Sequence, residues 1–437
     1  MTDARQQDIT PDDADTGLRL PRVVMPQPIA GAIVQDRLPW RRITFTALIP
    51  WAVTRIAYII LGAIAARLPQ QAPAQGTGFF AVWQRFDTNW YLSIATRGYY
   101  NPQQVAFFPL YPALIRVLSI VLGGNSLLAA LVVANLSTLT AMVAIGALAA
   151  WEMRDEGAAR WAILALMIYP FSFFLATAYT EGLFLTFATL CLLFARQGRW
   201  RAAVVSALLA GATRPTGVAL IAPLAWEWLR QHGLLQPEQW RGLLQAGRAQ
   251  VAQTWLGRLW GAARSGWSGL LAVAAVPAFI VGLAIFAGLR FHHPLLIVNV
   301  RRDYWGLVSA PVWRTIPREI IHMVRAPFGS DPQIVMALDV AALTVATAGV
   351  IALARRTPMA YTLYLLGLLY LCVAQPAAVA LQVLQGPGRY LLASSPLFIA
   401  LGSVLKQHPR VRVVLIALGV ALQLYLAVRF LTGKLIE

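Results

Sequence analysis

Cysteine is nearly absent: 437 residues hold two, Cys191 and Cys372, both inside apolar runs. Thiols so placed read as small buried hydrophobes, which excludes a disulfide framework and a cysteine-based metal site. Histidine is almost as scarce, and the pair His292-His293 has no third ligand at zinc spacing, so no metal is expected. Charge is also thin. Only 12% of the residues are charged, against about 25% in a soluble protein, and 58% are hydrophobic; the chain reads as a polytopic membrane protein. Acid is the rarer sign, 18 Asp plus Glu against 36 Lys plus Arg, for a formal charge of +18. The basic residues cluster between apolar runs, as the positive-inside rule and anionic headgroups produce. No basic face carries exposed aromatics outside the lipid, which argues against a nucleic-acid partner.

Against that background one stretch stands out, Trp83 to Tyr100, WQRFDTNWYLSIATRGYY. It lies between apolar runs and holds one carboxylate, Asp87, with Arg85 before it and aromatics on both sides. Asp87, Trp90, Tyr91 and Ile94 fall at helical spacing, so a short amphipathic helix presents them together. Trp and Tyr favour the membrane–water interface. The spacing therefore predicts a surface helix with an acid aimed into the headgroup region, against the plainer alternative of an interfacial belt with a solvated Asp.

Residues 1–42 lack the apolar core of a signal peptide and read as a disordered cytoplasmic tail. Residues 43–437 read as one membrane domain of about 10–12 transmembrane helices, each needing roughly 20 apolar residues. Arginines before the first span, Ile43–Ala66, put the N-terminus inside and the loop 67–104 outside. Residues 230–266 read as a basic amphipathic segment on the cytoplasmic leaflet, and 290–332 as a second large outer loop. The run Ala202–Leu229 is broken by Thr213-Arg214-Pro215-Thr216-Gly217, the pattern of a discontinuous helix with a cavity-facing arginine. Tyr179-Thr180-Glu181 places a carboxylate in a short link between apolar runs, where charge is costly and usually functional. Counting each run as one crossing conflicts with the charge bias: it sends WEMRDEGAAR outside and Tyr179–Glu181 inside. Incomplete crossings around Ala106–Leu122 and Arg214 would restore parity.

An outer-edge acid with several arginines suits transfer from a lipid phosphate. Guanidinium forks hold phosphate oxygens, and the acid takes a proton from an attacking hydroxyl. There is no nucleotide-type glycine loop and no DxD pair. The segments FDTNWYLSIATRGY, FFPLYP, PFSFFLATAYTEGLF, ATRPTG and GPGRYLLASSP, in that order from Trp83 to Pro396, resemble those of the second GPI mannosyltransferase (PIG-V) family. The resemblance implies an all-α GT-C glycosyltransferase fold, a polyprenyl-phosphate-mannose donor, inversion at the sugar carbon and a catalytic acid in the first outer loop. It maps Asp87 onto that acid, Glu181 onto the Tyr-Thr-Glu motif, Arg214 onto the Thr-Arg-Pro motif and Arg389 onto the late arginine. The basic segment 230–266 and the late loop depart from eukaryotic members, which leaves the acceptor open and suggests a prokaryotic relative.

The expected enzyme is an inverting α-mannosyltransferase in a bacterial cytoplasmic membrane. Its active site faces outward, it is monomeric, and it needs no metal or other cofactor. Its partners are the mannose donor, a lipid-linked or glycan acceptor and membrane lipids. Asp87 acts as general base. Arg389, Arg301, Arg302 and Arg214 hold the donor phosphate. Arg85, Trp90, Tyr91, Glu181, Tyr179 and Tyr390 contact the acceptor or sugar. Two alternatives stay open: the same fold using arabinose, glucose or aminoarabinose, and a lipid or solute transporter with no chemistry.

Overall fold

The computed structural model describes residues 38–72, 76, 78–235, 248–377, 383–384 and 386–434. Among these no strand forms beyond one isolated bridge, Leu307 to Ala377. Most of the expected tail, residues 1–37, lies outside the described residues, as do 236–247 of the basic segment.

Among the described residues, five helices are long and apolar enough to cross a membrane: α1 (Trp40–Ala65), α4 (Ser126–Met153), α10 (Trp267–Phe291), α13 (Asp331–Arg356) and α17 (Pro409–Leu431). Between them lie α2 (Asp87–Arg97), α3 (Leu110–Val121), α5 (Glu156–Met167), α6 (Glu181–Arg196), α7 (Trp200–Thr213), α8 (Ile221–Gln231) and α9 (Arg248–Ser265). Later in the chain come α11 (Leu296–Asp303), α12 (Val312–Arg325), α14 (Met359–Val373), α15 (Pro387–Leu391) and α16 (Ser395–Gln407). Fewer full-length helices form than a run-by-run count expects, because prolines and polar breaks divide several apolar runs. Pro170 starts a short 3-10 turn before Glu181, and Pro215 starts another after Arg214.

Small residues let the central helices approach closely, as in other membrane bundles. A Cβ added at Gly182 of α6 would lie 2.6 Å from Thr138 Oγ1 and 3.2 Å from the Ala134 carbonyl of α4. Thr138 Oγ1 also donates to the Leu175 carbonyl at 2.7 Å, tying α4 to the turn before α6.

Charged contacts gather at two ends of this bundle. At one end Arg42 meets Glu156 at 2.9 Å, Lys406 meets Asp155 at 2.8 Å, and Arg196 meets Glu152 at 2.7 Å and Glu227 at 3.2 Å. Tyr361 donates to Glu152 there at 2.6 Å. At the other end lie Asp87, Glu181, Arg214 and Arg389. Helix α6 joins the two clusters; its 16 residues rise roughly 23 Å at 1.5 Å each. Helix α3 has 12 residues, and α4 ends near the start of α1, where Arg42 meets Glu156. The broken run Ala202–Leu229 is two legs: α7 rises to Arg214, and α8 returns to Glu227 beside Arg196.

Asp155 caps α5 by accepting from the Gly157 amide at 2.8 Å while its other oxygen takes Lys406 Nζ. The Lys406 hydrogen bond holds its carboxyl below the usual carboxylate range; burial opposes this, and the Gly157 amide adds to the lowering. Its contribution is therefore present above the ordinary pKa of about 3.9 and is lost as pH falls below it. Asp155→Asn keeps the cap and should shift thermal unfolding little at pH 7 while flattening the loss below pH 4. Asp155→Ala removes the cap and should cost about 1 kcal/mol. Thermal melts in detergent across pH 3–7 test both.

Candidate active site

The site is built on the abrupt start of α2. Phe86, immediately before Asp87, has φ 43° and ψ −117°, a conformation that bulky residues adopt only when the surroundings enforce it, at a cost of order 1–3 kcal/mol. Two contacts enforce it. The Phe86 ring packs on Phe430, centroids 5.6 Å apart, and the Asp87 amide donates to the Tyr179 hydroxyl at 3.3 Å. Asp87 thus enters the first turn of α2 with its carboxylate directed at Arg389, whose Nη2 donates to Oδ2 at 3.1 Å.

Arg389 reaches this position through glycines. Gly386 has φ 59°, and a Cβ at Gly388 would lie 2.1 Å from the Phe171 ring, so only glycine fits there. The Tyr169 hydroxyl donates to the Gly388 carbonyl at 2.8 Å and locks the turn. The Arg389 guanidinium lies over the Tyr179 and Phe174 rings at 4.5 and 5.0 Å, a cation–π arrangement that stiffens it. Its Nε donates to Glu181 Oε1, which Arg214 Nη1 shares. Glu181 is the hub of the cluster: its side chain is 2% exposed and its second oxygen has no partner. Arg214 also donates to Thr180 Oγ1 at 3.3 Å and rests over the Tyr390 ring at 5.5 Å.

A cavity of about 150 Å³ opens beside this cluster, lined by Asp87, Tyr91, Arg214, Arg301, Arg389 and Tyr390 together with Phe107, Phe108, Thr216 and Trp305. Arg301 enters from α11; it donates to Gln375 Oε1 at 2.6 Å and makes no ion pair among the described residues. Three guanidiniums, those of Arg214, Arg301 and Arg389, line the cavity with the Asp87 carboxylate, and Arg214 and Arg389 also share the buried Glu181. Asp87, with 25% of its side chain exposed, is the acid that reaches the cavity. The Trp305 indole N–H and the Thr216 hydroxyl are buried without partners, two further groups able to bond a ligand. No cluster of three His, Cys, Asp or Glu occurs among the described residues.

Other expected site residues stand elsewhere. Arg85 is 3% exposed and its donors go to the carbonyls of Ala72 at 2.6 Å and Leu431 at 2.7 Å and to Gln70 Oε1 at 2.5 Å. It clasps the loop to the last helix and contacts no cavity. Arg302 lies on the surface, paired with Asp303 at 2.6 Å, with 60% of its side chain exposed. Trp90 stands behind the cavity wall, stacked on Phe107 at 5.5 Å and edge-on to Trp305 at 6.4 Å. Glu181 and Tyr179 are buried, 4% and 1% exposed, and neither lines the cavity beside Asp87. Trp305 and Thr216 were not singled out as site residues, because a lone Trp in a basic loop and a Thr after a proline carry no spacing signal.

Residues 69–233 match the family model described as Mannosyltransferase (PIG-V). The resemblance to the PIG-V mannosyltransferases holds over those residues. No curated protein matches the chain. Among solved structures, ArnT from Cupriavidus metallidurans bound to undecaprenyl phosphate is similar, with 14% identity over 82% of this chain and a TM-score of 0.43. The chain spans 60% of that protein's length. The PIG-V-like segment carries Asp87, Tyr179, Glu181 and Arg214; Arg301 and Arg389 come from beyond it, so the cavity is completed by chain outside the matched residues.

Proposed function

We propose that the protein is an inverting mannosyltransferase of GT-C organisation. It moves mannose from polyprenyl-phosphate-mannose to a lipid-linked or glycan acceptor at the outer face of the membrane. The observation that carries this reading is the placing of one accessible carboxylate, Asp87, with the guanidiniums of Arg214, Arg301 and Arg389 around one small cavity. A phosphate entering that cavity meets Arg301, which lacks a carboxylate partner, and competes with Asp87 for Arg389. The donor thereby frees its own base. An acceptor hydroxyl then attacks the anomeric carbon opposite the phosphate and gives its proton to Asp87. The bond from sugar carbon to phosphate oxygen breaks, and the phosphate leaves as an anion among the arginines, needing charge stabilisation rather than a proton.

Purified protein incubated with labelled polyprenyl-phosphate-mannose and total membrane lipid should yield a mannosylated product. The same donor set carrying arabinose or glucose should react far more slowly. Absence of any transfer, or a preference for another sugar, rejects the reading. Arg301→Ala removes phosphate contact made in ground and transition states alike and should raise the donor KM about tenfold with kcat little changed. An unchanged KM would remove Arg301 from the phosphate site.

A further inference from the structure

Helix α2 separates two cavities. At 100° per residue, Asp87 and Tyr91 lie on one face, while Asn89, Leu92, Ser93, Thr96 and Arg97 lie on the opposite one. That second face lines a groove of about 610 Å³, closed on its other sides by Gly78–Phe80, Gln84 and the start of α4 at Gly124–Leu128. The 150 Å³ beside Asp87 is below the roughly 300–1,000 Å³ of ordinary ligand pockets, too little for a donor headgroup and an acceptor glycan together. The groove supplies the missing space.

Its chemistry differs from that of the charged cavity. The lining carries three amides, Gln84, Asn89 and Asn125, three hydroxyls, Ser93, Thr96 and Ser126, one cation, Arg97, and no carboxylate. Amides and hydroxyls both donate and accept, which is what neighbouring sugar hydroxyls require. The Phe79 ring on the rim is 63% exposed and braced edge-on by Phe80 at 5.0 Å, leaving a free face for the C–H side of a sugar ring. The backbone at Gly124 is bare: a Cβ there would meet nothing within 4 Å. The groove begins at the same N-terminal turn of α2 as Asp87, on the opposite face of the helix. Gln84 Nε2 donates to Asn89 Oδ1 at 2.9 Å across the start of α2, and Asn89 is only about 3 Å further along the helix axis than Asp87.

We infer that this groove is a glycan subsite that takes a neutral oligosaccharide, the part of the acceptor remote from the hydroxyl being glycosylated. The inference rests on glycosyl transfer at Asp87, but binding is measurable without turnover. Asp87→Asn protein in detergent is titrated with mannotriose, maltotriose and chitotriose and followed by saturation-transfer NMR. At least one should bind in the millimolar range. Adding Thr96→Trp, which fills the groove from an exposed helix position, or Phe79→Ala, which removes the stacking ring, should weaken that binding at least tenfold. Ile120→Trp, at an exposed position of α3 that does not line the groove, should leave it unchanged. Thermal melts check that each variant is folded, and the two groove variants act independently if one is not. Binding of no trisaccharide, or equal binding in both groove variants, overturns the subsite even if mannose transfer is demonstrated. Tenfold losses in both uphold it even if the donor sugar proves not to be mannose.

Discussion

Asp87→Asn should lower turnover by 10²–10⁴-fold, the usual worth of a positioned general base. The substitution is nearly isosteric, so Phe86 keeps its packing on Phe430 and the Asp87 amide keeps its bond to Tyr179. What is lost is the proton acceptor. One consequence separates this loss from damage. In the wild-type protein Arg389 is divided between Asp87 and Glu181; with Asn at position 87 the guanidinium is released toward the cavity. Donor phosphate should therefore bind the variant at least as tightly as it binds wild type, while transfer nearly stops. The measurement is kcat for mannose transfer beside a direct Kd for the polyprenyl-phosphate product. A variant that transfers at more than about a tenth of the wild-type rate would exclude Asp87 as the base. A variant that loses product binding along with rate would assign Asp87 to the architecture of the phosphate site instead.

Much of this arrangement was readable in the chain. Asp87 stood out because a single acid sits among aromatics at helical spacing; a helix, α2, spans Asp87–Arg97, with Trp90 packed on Phe107 rather than beside Asp87. Arg214 stood out because a Thr-Arg-Pro-Thr-Gly break in an apolar run has few structural reasons to exist. The run folds as two legs with Arg214 at the tip, a distinction that hydropathy averages away. Arg85 and Arg302 could not be sorted by spacing. Both flank aromatics in polar segments between apolar runs, and only the folded chain shows one bonding backbone carbonyls and the other bonding its neighbour Asp303. The cluster of Glu152, Arg196, Glu227 and Tyr361 was also illegible, since its members come from four helices and each alone resembles a solvated loop charge. The groove behind α2 escaped notice for a similar reason. Ser, Thr and Asn on the polar side of a short helix look like solvent exposure until the α3–α4 turn is placed opposite them.

Glu181→Ala should be the most destabilising single change at the site. Glu181 Oε1 receives Arg389 and Arg214 together, and those side chains are 6% and 13% exposed. Removing one partner from a buried charge set typically costs about 3–5 kcal/mol, because the remaining charge stays desolvated; here two like charges are left facing each other. Two further variants decide whether Glu181 also serves the reaction. Glu181→Gln keeps the volume and one acceptor oxygen but not the charge, so it should fold and retain part of the pairing. With Glu181 neutral, Asp87 holds Arg389 without competition from Glu181, and the base is kept in an ion pair that the donor phosphate must break. The expected signature is a fall in kcat/KM of about tenfold or more, chiefly through donor KM, with a folded protein. Adding Arg214→Met to Glu181→Ala removes the surplus cation and should restore part of the lost thermal stability but none of the activity. Recovery of both would make Glu181 a purely structural counter-charge. A Glu181→Gln enzyme with wild-type kcat/KM would show that Arg389 is positioned by the Tyr179 and Phe174 rings alone.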